Sequence, residues 1–330
     1  MFDLVSFMFV TGASGFLGHA LCKEWVERGL HVRGFIRRGS KIPSGVEPVF
    51  GDDLRDEDSL RRGMHGAGVV VHLAARVHQM RETSADAEAQ YRAVNVEGTR
   101  AVLSAATHAG VEKVVITSSV KAVGERSERP WTELTPPEPL DAYGRSKLEA
   151  ERLALSCAHD MAVSVLRLPA VYGPQMKGNI PQLFALVKRG IPVPLGAVHN
   201  RRSFLYSGNA VRAVDAVLAS DAAAGSVFFV SDDDDVSAAE LVRRIAAAMG
   251  RPARLVPVPL WMLRAGARIV DPMHGLFGLP AMRPAIARLT ESLQVDITRL
   301  RKTTHYTPIP MRDALQETAM WYEGALARPR

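Results

Sequence analysis

Cysteine is scarce in this chain of 330 residues, with Cys22 and Cys157 the only two. Two thiols make neither a disulfide framework nor a four-cysteine zinc site, and they suit a reducing compartment, so a cytoplasmic protein without a metal centre is expected. Lysine is scarce as well, 8 residues against 33 arginines, and the net charge of +6 is spread over single residues and pairs such as Arg37-Arg38 and Arg201-Arg202. Aromatics make up 6% of the chain and do not interleave with a basic run. Nucleic acid is therefore not an expected partner, whereas anionic small ligands are. Long apolar runs are missing too. The opening MFDLVSFMFVTGASG carries Asp3 and neither a basic segment nor a small-residue cleavage site, so it reads as a strand and not a signal peptide. Segment 255–270 is interrupted by Pro257, Pro259, Arg264 and Arg268 and is too short to span a bilayer. It reads as a core helix, with an amphipathic surface helix as the alternative.

What is present is a globular composition, 47% hydrophobic and 23% charged, long enough for one large or two fused domains. Short β-branched runs alternate with helical patterns through the first half, the rhythm of parallel strands joined by crossover helices. Strands are predicted at 4–10, 31–36, 46–50, 69–73, 114–117 and 163–168, and helices at 16–28, 56–63, 91–109 and 143–158. A helix at 209–220 and a strand at 226–230 extend the same sheet. The fold class is α/β, a doubly wound parallel sheet of the Rossmann type with a smaller C-terminal α+β lobe. The expected division is 1–169 plus 208–231 for a dinucleotide-binding domain and 170–207 plus 232–330 for a substrate lobe, which ends in a helix at 311–322. The acidic run 232–235 reads as a solvated turn ahead of a helix at Ser237.

Thr11-Gly-Ala-Ser-Gly-Phe-Leu-Gly18 joins the first strand to the first helix. Gly12 permits a tight turn, Gly15 lets backbone N–H groups approach a pyrophosphate, and Gly18 lets the helix pack closely on the sheet. The helix N-terminus then faces the anion. No acid closes the second strand to hold a ribose 2′-hydroxyl. Arg37 and Arg38 stand there instead, and Arg37 suits a 2′-phosphate, which leans the cofactor from NAD towards NADP(H); two solvated arginines would look the same. Asp53, in Gly51-Asp52-Asp53-Leu54, is placed for an adenine amino group or for ordinary turn chemistry.

Tyr143-Gly-Arg-Ser-Lys147 opens a helix, and an i, i+4 pair shares one helical face. An ammonium near the phenol stabilises phenolate, so the pair is expected to lower the Tyr143 pKa from about 10 and make it a usable acid/base. Thr117-Ser118-Ser119 ends the fifth strand, where such sheets place ligands, and a hydroxyl there can meet the same substrate oxygen. A serine capping a turn and a solvated Lys147 are the bland alternatives.

Together these segments resemble the extended short-chain dehydrogenase/reductase superfamily, specifically its NAD(P)-dependent nucleotide-sugar epimerase/dehydratase branch. The resemblance runs through TGASGFLG (11–18), HLAA (72–75), NVEGT (95–99), ITSSV (116–120), YGRSK (143–147), LRLPAVYGP (166–174), NRRSFLYSGNAVRAV (200–214) and SLQVDITRL (292–300). It implies that Tyr143 is the acid/base, that Lys147 binds nicotinamide ribose, and that Ser119 orients the reacting oxygen. It puts Gly12, Ser14, Gly15, Phe16, Leu17 and Gly18 against the cofactor, with Leu54, Leu73, Ala74 and Ala75 beside it. Asn95 steadies the sheet near the site, and Pro169 and Tyr172 shape the nicotinamide end. Asn179, Tyr172 and Arg202 become substrate contacts, Arg202 matching an arginine that pairs with a nucleotide-sugar diphosphate. A solvated arginine is its plain alternative.

The chain also departs from that pattern. Where sugar dehydratases have Thr-Asp-Glu, it has Ser119-Val120-Lys121, so no carboxylate is expected there and dehydration is not expected. Arg76 and His78 replace smaller residues on a loop facing the proposed cleft. His78 and Lys121 are read as substrate anchors, and a solvated loop histidine fits equally. The resemblance implies hydride transfer at sugar C4, by a 4-keto-sugar reductase for surface polysaccharide or by a UDP-hexose 4-epimerase that retains NAD. A steroid- or flavonoid-type reductase and a non-catalytic cofactor-sensing regulator are the remaining readings. A homodimer through helices 91–109 and 143–158 is expected, with Ala101, Ala105, Ala150 and Ala154 permitting close approach, although burial inside the monomer would require them too.

Overall fold

Strand β1 (Phe7–Thr11), FMFVT, is buried along its whole length. That pattern arises when helices cover both faces of a parallel sheet, leaving no polar alternation in the sequence. The computed structural model describes residues 7–77, 86–270, 286–287 and 289–327, and seven strands within them form one parallel sheet. Its order is β3 (Glu47–Phe50), β2 (Val32–Ile36), β1, β4 (Ala67–His72), β5 (Lys113–Ser119), β6 (Ala162–Leu168) and β9 (Ser226–Phe229). The expected strand at 4–10 is described from Phe7, and residues 4–6 lie outside the described part. Val10 pairs with Val71 and Ile116 with Val165, so apolar β-branched side chains stack across the sheet. Strand order reverses between β1 and β4, and the crevice at their carboxyl ends is where this architecture places ligands.

Helices α1 (Phe16–Glu27) and α7 (Ser207–Leu218) cover one face. There Trp25 is fully buried and its indole N–H donates to Asp215 at 2.9 Å, tying the two helices together. Burial of a side chain of this size contributes on the order of 2–3 kcal/mol. Helices α2 (Glu57–Met64), α4 (Gly98–His108) and α5 (Ala142–Ser156) cover the other face. Arg167 of β6 meets Glu151 of α5 in a forked pair, Nε to Oε1 at 3.0 Å and Nη2 to Oε2 at 2.7 Å, with both side chains buried. Removing either partner would strand the other charge, at a cost of about 3–5 kcal/mol.

The helix expected at 91–109 is three pieces: α3 (Ala87–Arg92), a single π turn (Ala93–Glu97) and α4. Ala101, Ala105, Ala150 and Ala154 are buried inside the protomer, where α4 packs on α5. They therefore form no free small-residue face, and this argument for a dimer falls. The second lobe contains a two-stranded parallel sheet, β7 (Ala170–Tyr172) with β8 (Phe204–Tyr206). Around it lie α6 (Ile180–Arg189), α8 (Ala238–Ala248), α9 (Leu260–Val270) and α11 (Met311–Ala327), packed on Phe184 and its neighbours. The short α10 (Thr298–Thr304) and the residues before it return to the main sheet, where Leu293, Val295, Ile297 and Leu300 join its core.

Two expectations fail here. Helix α9 is a surface helix: Trp261 is 70% exposed and Arg264 and Arg268 are exposed, while Leu263 reaches the core. Arginines four residues apart share one face and turn it to solvent while Leu263 turns inward, so the amphipathic alternative is the one observed. Asp232 is not in a solvated turn but 4% exposed, accepting hydrogen bonds from Tyr206 N at 2.8 Å, Asn209 Nδ2 at 2.7 Å and the Tyr172 hydroxyl at 2.8 Å. Three donors compensate a carboxylate that would otherwise be costly to bury. No helix among the described residues is long and apolar enough to cross a membrane.

Candidate functional site

The site begins at the reversal point of the sheet. Gly12 has φ +72°, and a Cβ on it would stand 2.7 Å from the Ala74 nitrogen after β4. At Gly18 a Cβ would overlap the Gly12 carbonyl oxygen. Gly15 N donates to Gly12 O at 2.8 Å, and the first turn of α1 that follows has no acidic residue. A close-walled turn feeding an acid-free helix N-terminus fits a dinucleotide pyrophosphate. Ser14 and Gly15 are exposed at this turn, Phe16 packs on the core of the second lobe, and Leu17 and Leu73 pack on the core of the sheet. Ala75 is half-buried in the loop after β4, and Leu54 packs on Gly98.

At the neighbouring strand ends, Arg37 is exposed after β2, and Arg38 lies over the Phe50 ring, 5.5 Å from its centroid. Asp53 is turned to Arg55, receiving Nε at 3.0 Å and Nη2 at 2.5 Å, and that pairing holds its carboxyl below the usual range. This is turn chemistry, one of its two expected uses.

Beneath the turn runs a buried polar chain. Ala74 N donates to Thr11 Oγ1 at 3.3 Å, Thr11 Oγ1 meets His72 Nδ1 at 2.7 Å, His72 Nε2 meets Thr99 Oγ1 at 3.0 Å, and Thr99 Oγ1 donates to Asn95 O at 2.6 Å. Because the Thr99 hydroxyl proton is spent on a carbonyl, His72 must donate from Nε2 and accept at Nδ1, the neutral tautomer. Burial, aided by the Lys147 charge, pushes the His72 pKa down to about 3. Asn95, in the π turn, accepts from Arg76 N at 2.8 Å and donates to Arg76 O at 3.1 Å and Ser146 Oγ at 2.9 Å. Ser146 Oγ in turn donates to Tyr143 O at 2.7 Å, so Asn95 steadies the first turn of α5 against the loop after β4.

That turn carries Tyr143 and Lys147. Tyr143 lies close to the Ser119 side chain and edge-on to Tyr91, ring centroids 5.9 Å apart. Its pKa is not lowered as expected: burial pushes it up to about 12, against the opposing pull of Ser119. Lys147 Nζ donates to Thr117 O at 2.6 Å, and burial pulls the ammonium down to about 8 while Glu151 opposes. Desolvation leads both shifts, and the mutual attraction that the i, i+4 spacing suggested is not among their causes.

Ser119 opens onto a cavity of about 480 Å³, whose walls include Lys121, Glu125, Asp141, Pro169, Arg202 and Glu291. Lys121 Nζ lies 2.7 Å from Glu125 Oε1 and 2.6 Å from Asp141 Oδ2. The strand-end motif itself brings no carboxylate, as expected, and the two that stand in the cleft, Glu125 and Asp141, arrive from outside it. Both are held by Lys121, which is committed to them before any substrate. Arg202 Nη1 donates to Glu291 O at 3.0 Å.

Tyr172 is not a cleft residue. It is 1% exposed, with its hydroxyl given to Asp232. Asn179 precedes α6 without a side-chain cap and is absent from the cavity wall, and His78 lies outside the described residues. Asp141 had a signal that went unread, an aspartate just before a helix whose Oδ1 accepts from Gly144 N at 2.6 Å. Glu291 had none, since only tertiary folding brings it to Arg202.

Residues 8–230 match the NAD dependent epimerase/dehydratase family. A UDP-glucose 4-epimerase from Vibrio cholerae is 33% identical over 317 residues, covering 94% of this chain and 93% of its own. The N-acetyl-alpha-D-glucosaminyl-diphospho-ditrans,octacis-undecaprenol 4-epimerase of Escherichia coli O157:H7 is 26% identical over 318 residues, covering 94% and 93%. Among solved structures, MoeE5 in complex with UDP-glucose and NAD superposes with a TM-score of 0.76 at 27% identity, covering 97% of this chain and all of the other.

Proposed function

Because the chain belongs to the NAD dependent epimerase/dehydratase family, we propose that it oxidises and reduces C4 of a diphosphate-linked hexose, as a 4-epimerase. The observation that carries this reading is that Ser119 and Arg202 share the wall of one cavity, with the Tyr143 phenol close to the Ser119 side chain. Residues 1–169 plus 208–231 hold NAD(P) on the Gly12–Gly18 turn, and 170–207 plus 232–330 take the sugar diphosphate, within a cytoplasmic enzyme. When bound, the nicotinamide supplies a hydride acceptor and donor. Tyr143 takes the proton of the C4 hydroxyl as phenolate, a form that the positive charge of a bound oxidised nicotinamide would have to favour against the burial that raises its pKa, and returns that proton in the reverse step, while Ser119 holds the oxygen. Lys147, one helical turn on and bonded to Thr117 O, is the residue that would meet the nicotinamide ribose, and Asn95 keeps the helix turn in place. Arg202 offers a guanidinium fork to the diphosphate, the group shared by a UDP-sugar and a polyprenyl-diphosphate sugar.

Interconversion of UDP-glucose and UDP-galactose by the purified protein is the test. Tyr143→Phe should keep cofactor binding and lower turnover at least ~10²-fold. Near-normal turnover in a folded Tyr143→Phe variant would overturn the assignment.

A 4-keto-sugar reductase using NADP(H) is the second reading, favoured by the exposed Arg37 at the end of β2. Cofactor that exchanges freely, prefers NADP(H), and reverses that preference in Arg37→Asp would select it. Tightly retained NAD selects the epimerase. The dimer stands as part of this proposal and is read by light scattering.

A further inference from the structure

Among the described residues, four exposed large apolar side chains lie on adjoining segments of the second lobe: Ile191, Val256, Trp261 and Met262, with exposures of 40, 42, 70 and 48%. They are neighbours through the backbone. Val193 N donates to Arg254 O at 2.8 Å, Val256 N to Val193 O at 2.9 Å and Gly196 N to Val256 O at 2.9 Å, so segments 191–196 and 254–258 run side by side. Pro259 then starts α9, with Met262 N bonded to its carbonyl at 2.9 Å, and Leu263 anchors the helix to the core. Trp261 and Met262 are left facing outward.

The two segments that carry this patch bear charge of one sign. Exposed Arg189, Arg254, Arg264 and Arg268 surround it, while segments 180–199 and 251–270 contain no Asp or Glu, in a chain that averages one acid in about nine residues. Glu323 reaches the edge, 4.0 Å from Arg251. A second copy of this chain is a poor occupant, since a two-fold contact would set arginine against arginine with only Glu323, at the edge, to pair. A bilayer with anionic headgroups meets both features, because a tryptophan and a methionine can enter the headgroup boundary while the arginines face lipid phosphates. At 11 residues α9 lies on such a surface and cannot cross it.

We propose that α9 and the adjoining 191–196/254–258 ledge form a peripheral membrane-docking face for anionic lipid. This is independent of which reaction the cleft performs.

Flotation of the full chain with vesicles of phosphatidylcholine alone, and with one-third phosphatidylglycerol, tests it. Partitioning should be at least about tenfold stronger onto the anionic vesicles and weaken as salt is raised. Arg264→Glu with Arg268→Glu should lower partitioning about tenfold or more, and Trp261→Ser with Met262→Ser should lower it too, with unchanged thermal unfolding. Brominated lipid should quench wild-type tryptophan fluorescence more than that of Trp261→Phe, a readout that does not depend on the double variants folding. Equal partitioning onto both vesicles, no flotation, or variants that bind like wild type would overturn the proposal. So would self-association that Trp261→Ser abolishes, which assigns the face to a second copy.

Discussion

Lys121 Nζ sits 2.6 Å from Asp141 Oδ2, and the other oxygen of that carboxylate caps the helix that bears Tyr143. One ion pair therefore joins the turn after Ser119 to the first residues of α5, fixing the distance between the two hydroxyl groups that meet at the cleft. The fit is close enough that a Cβ on Gly144 would overlap the Lys121 carbonyl oxygen.

Lys121→Met leaves two partly buried carboxylates without their cation. Stability should fall by about 1–2 kcal/mol, discounted from the fully buried case because the three side chains are 19–29% exposed. Turnover should fall about tenfold with a smaller change in KM, and Lys121→Arg should recover much of it. A pure KM effect would instead make Lys121 a direct substrate contact. Asp141→Ala should cost about 1 kcal/mol through the lost cap, with the same kcat signature.

His72 and Asp232 give opposite pH slopes. The His72 pKa falls from 6.5 to about 3 on folding, so the unfolded chain binds the extra proton and stability is lost as pH falls from about 6.5 towards 3. Asp232 rises from 3.8 to about 6 through burial, so the native state binds the extra proton and stability is lost as pH rises from about 4 to 6. Each slope approaches ~1.4 kcal/mol per pH unit at most. Urea titrations across this range should show wild type losing more stability in acid than His72→Gln. Asp232→Asn should lose more in acid than wild type. Parallel curves for all three proteins would refute both assignments.

Arg202 separates a diphosphate-linked substrate from an apolar alcohol. Arg202→Ala should weaken UDP binding about tenfold to hundredfold while leaving the NAD(P) dissociation constant within about twofold. Calorimetry measures both. Failure of the wild-type protein to bind UDP or dTDP would remove nucleotide sugars from consideration.

The features legible before the structure were local ones. A strand, three glycines and a helix fall within eighteen residues, and Tyr143 and Lys147 share one helical turn, so backbone geometry alone placed them. The π turn was not legible, because Tyr91 and the apolar residues of α4 keep helical spacing while Asn95 is engaged by Arg76 and Ser146 from distant segments. The pKa of Tyr143 went the wrong way because spacing encodes proximity and not burial. Tyr172 was misplaced for a related reason: its partner is Asp232, sixty residues on, and a run of four aspartates reads as solvated until three donors converge on its first member.

Those three donors lie where the chain passes between the lobes: Tyr172 ends β7, Tyr206 and Asn209 begin α7, and Asp232 itself follows β9. One carboxylate thus buckles three separate threads. A protease that nicks any one of them leaves the other crossings and most of the buckle, so nicked protein should migrate as two fragments under denaturing conditions and as one particle in native ones. For the same reason this enzyme is a poor subject for dissection into freestanding halves, since neither lobe is a continuous stretch of chain.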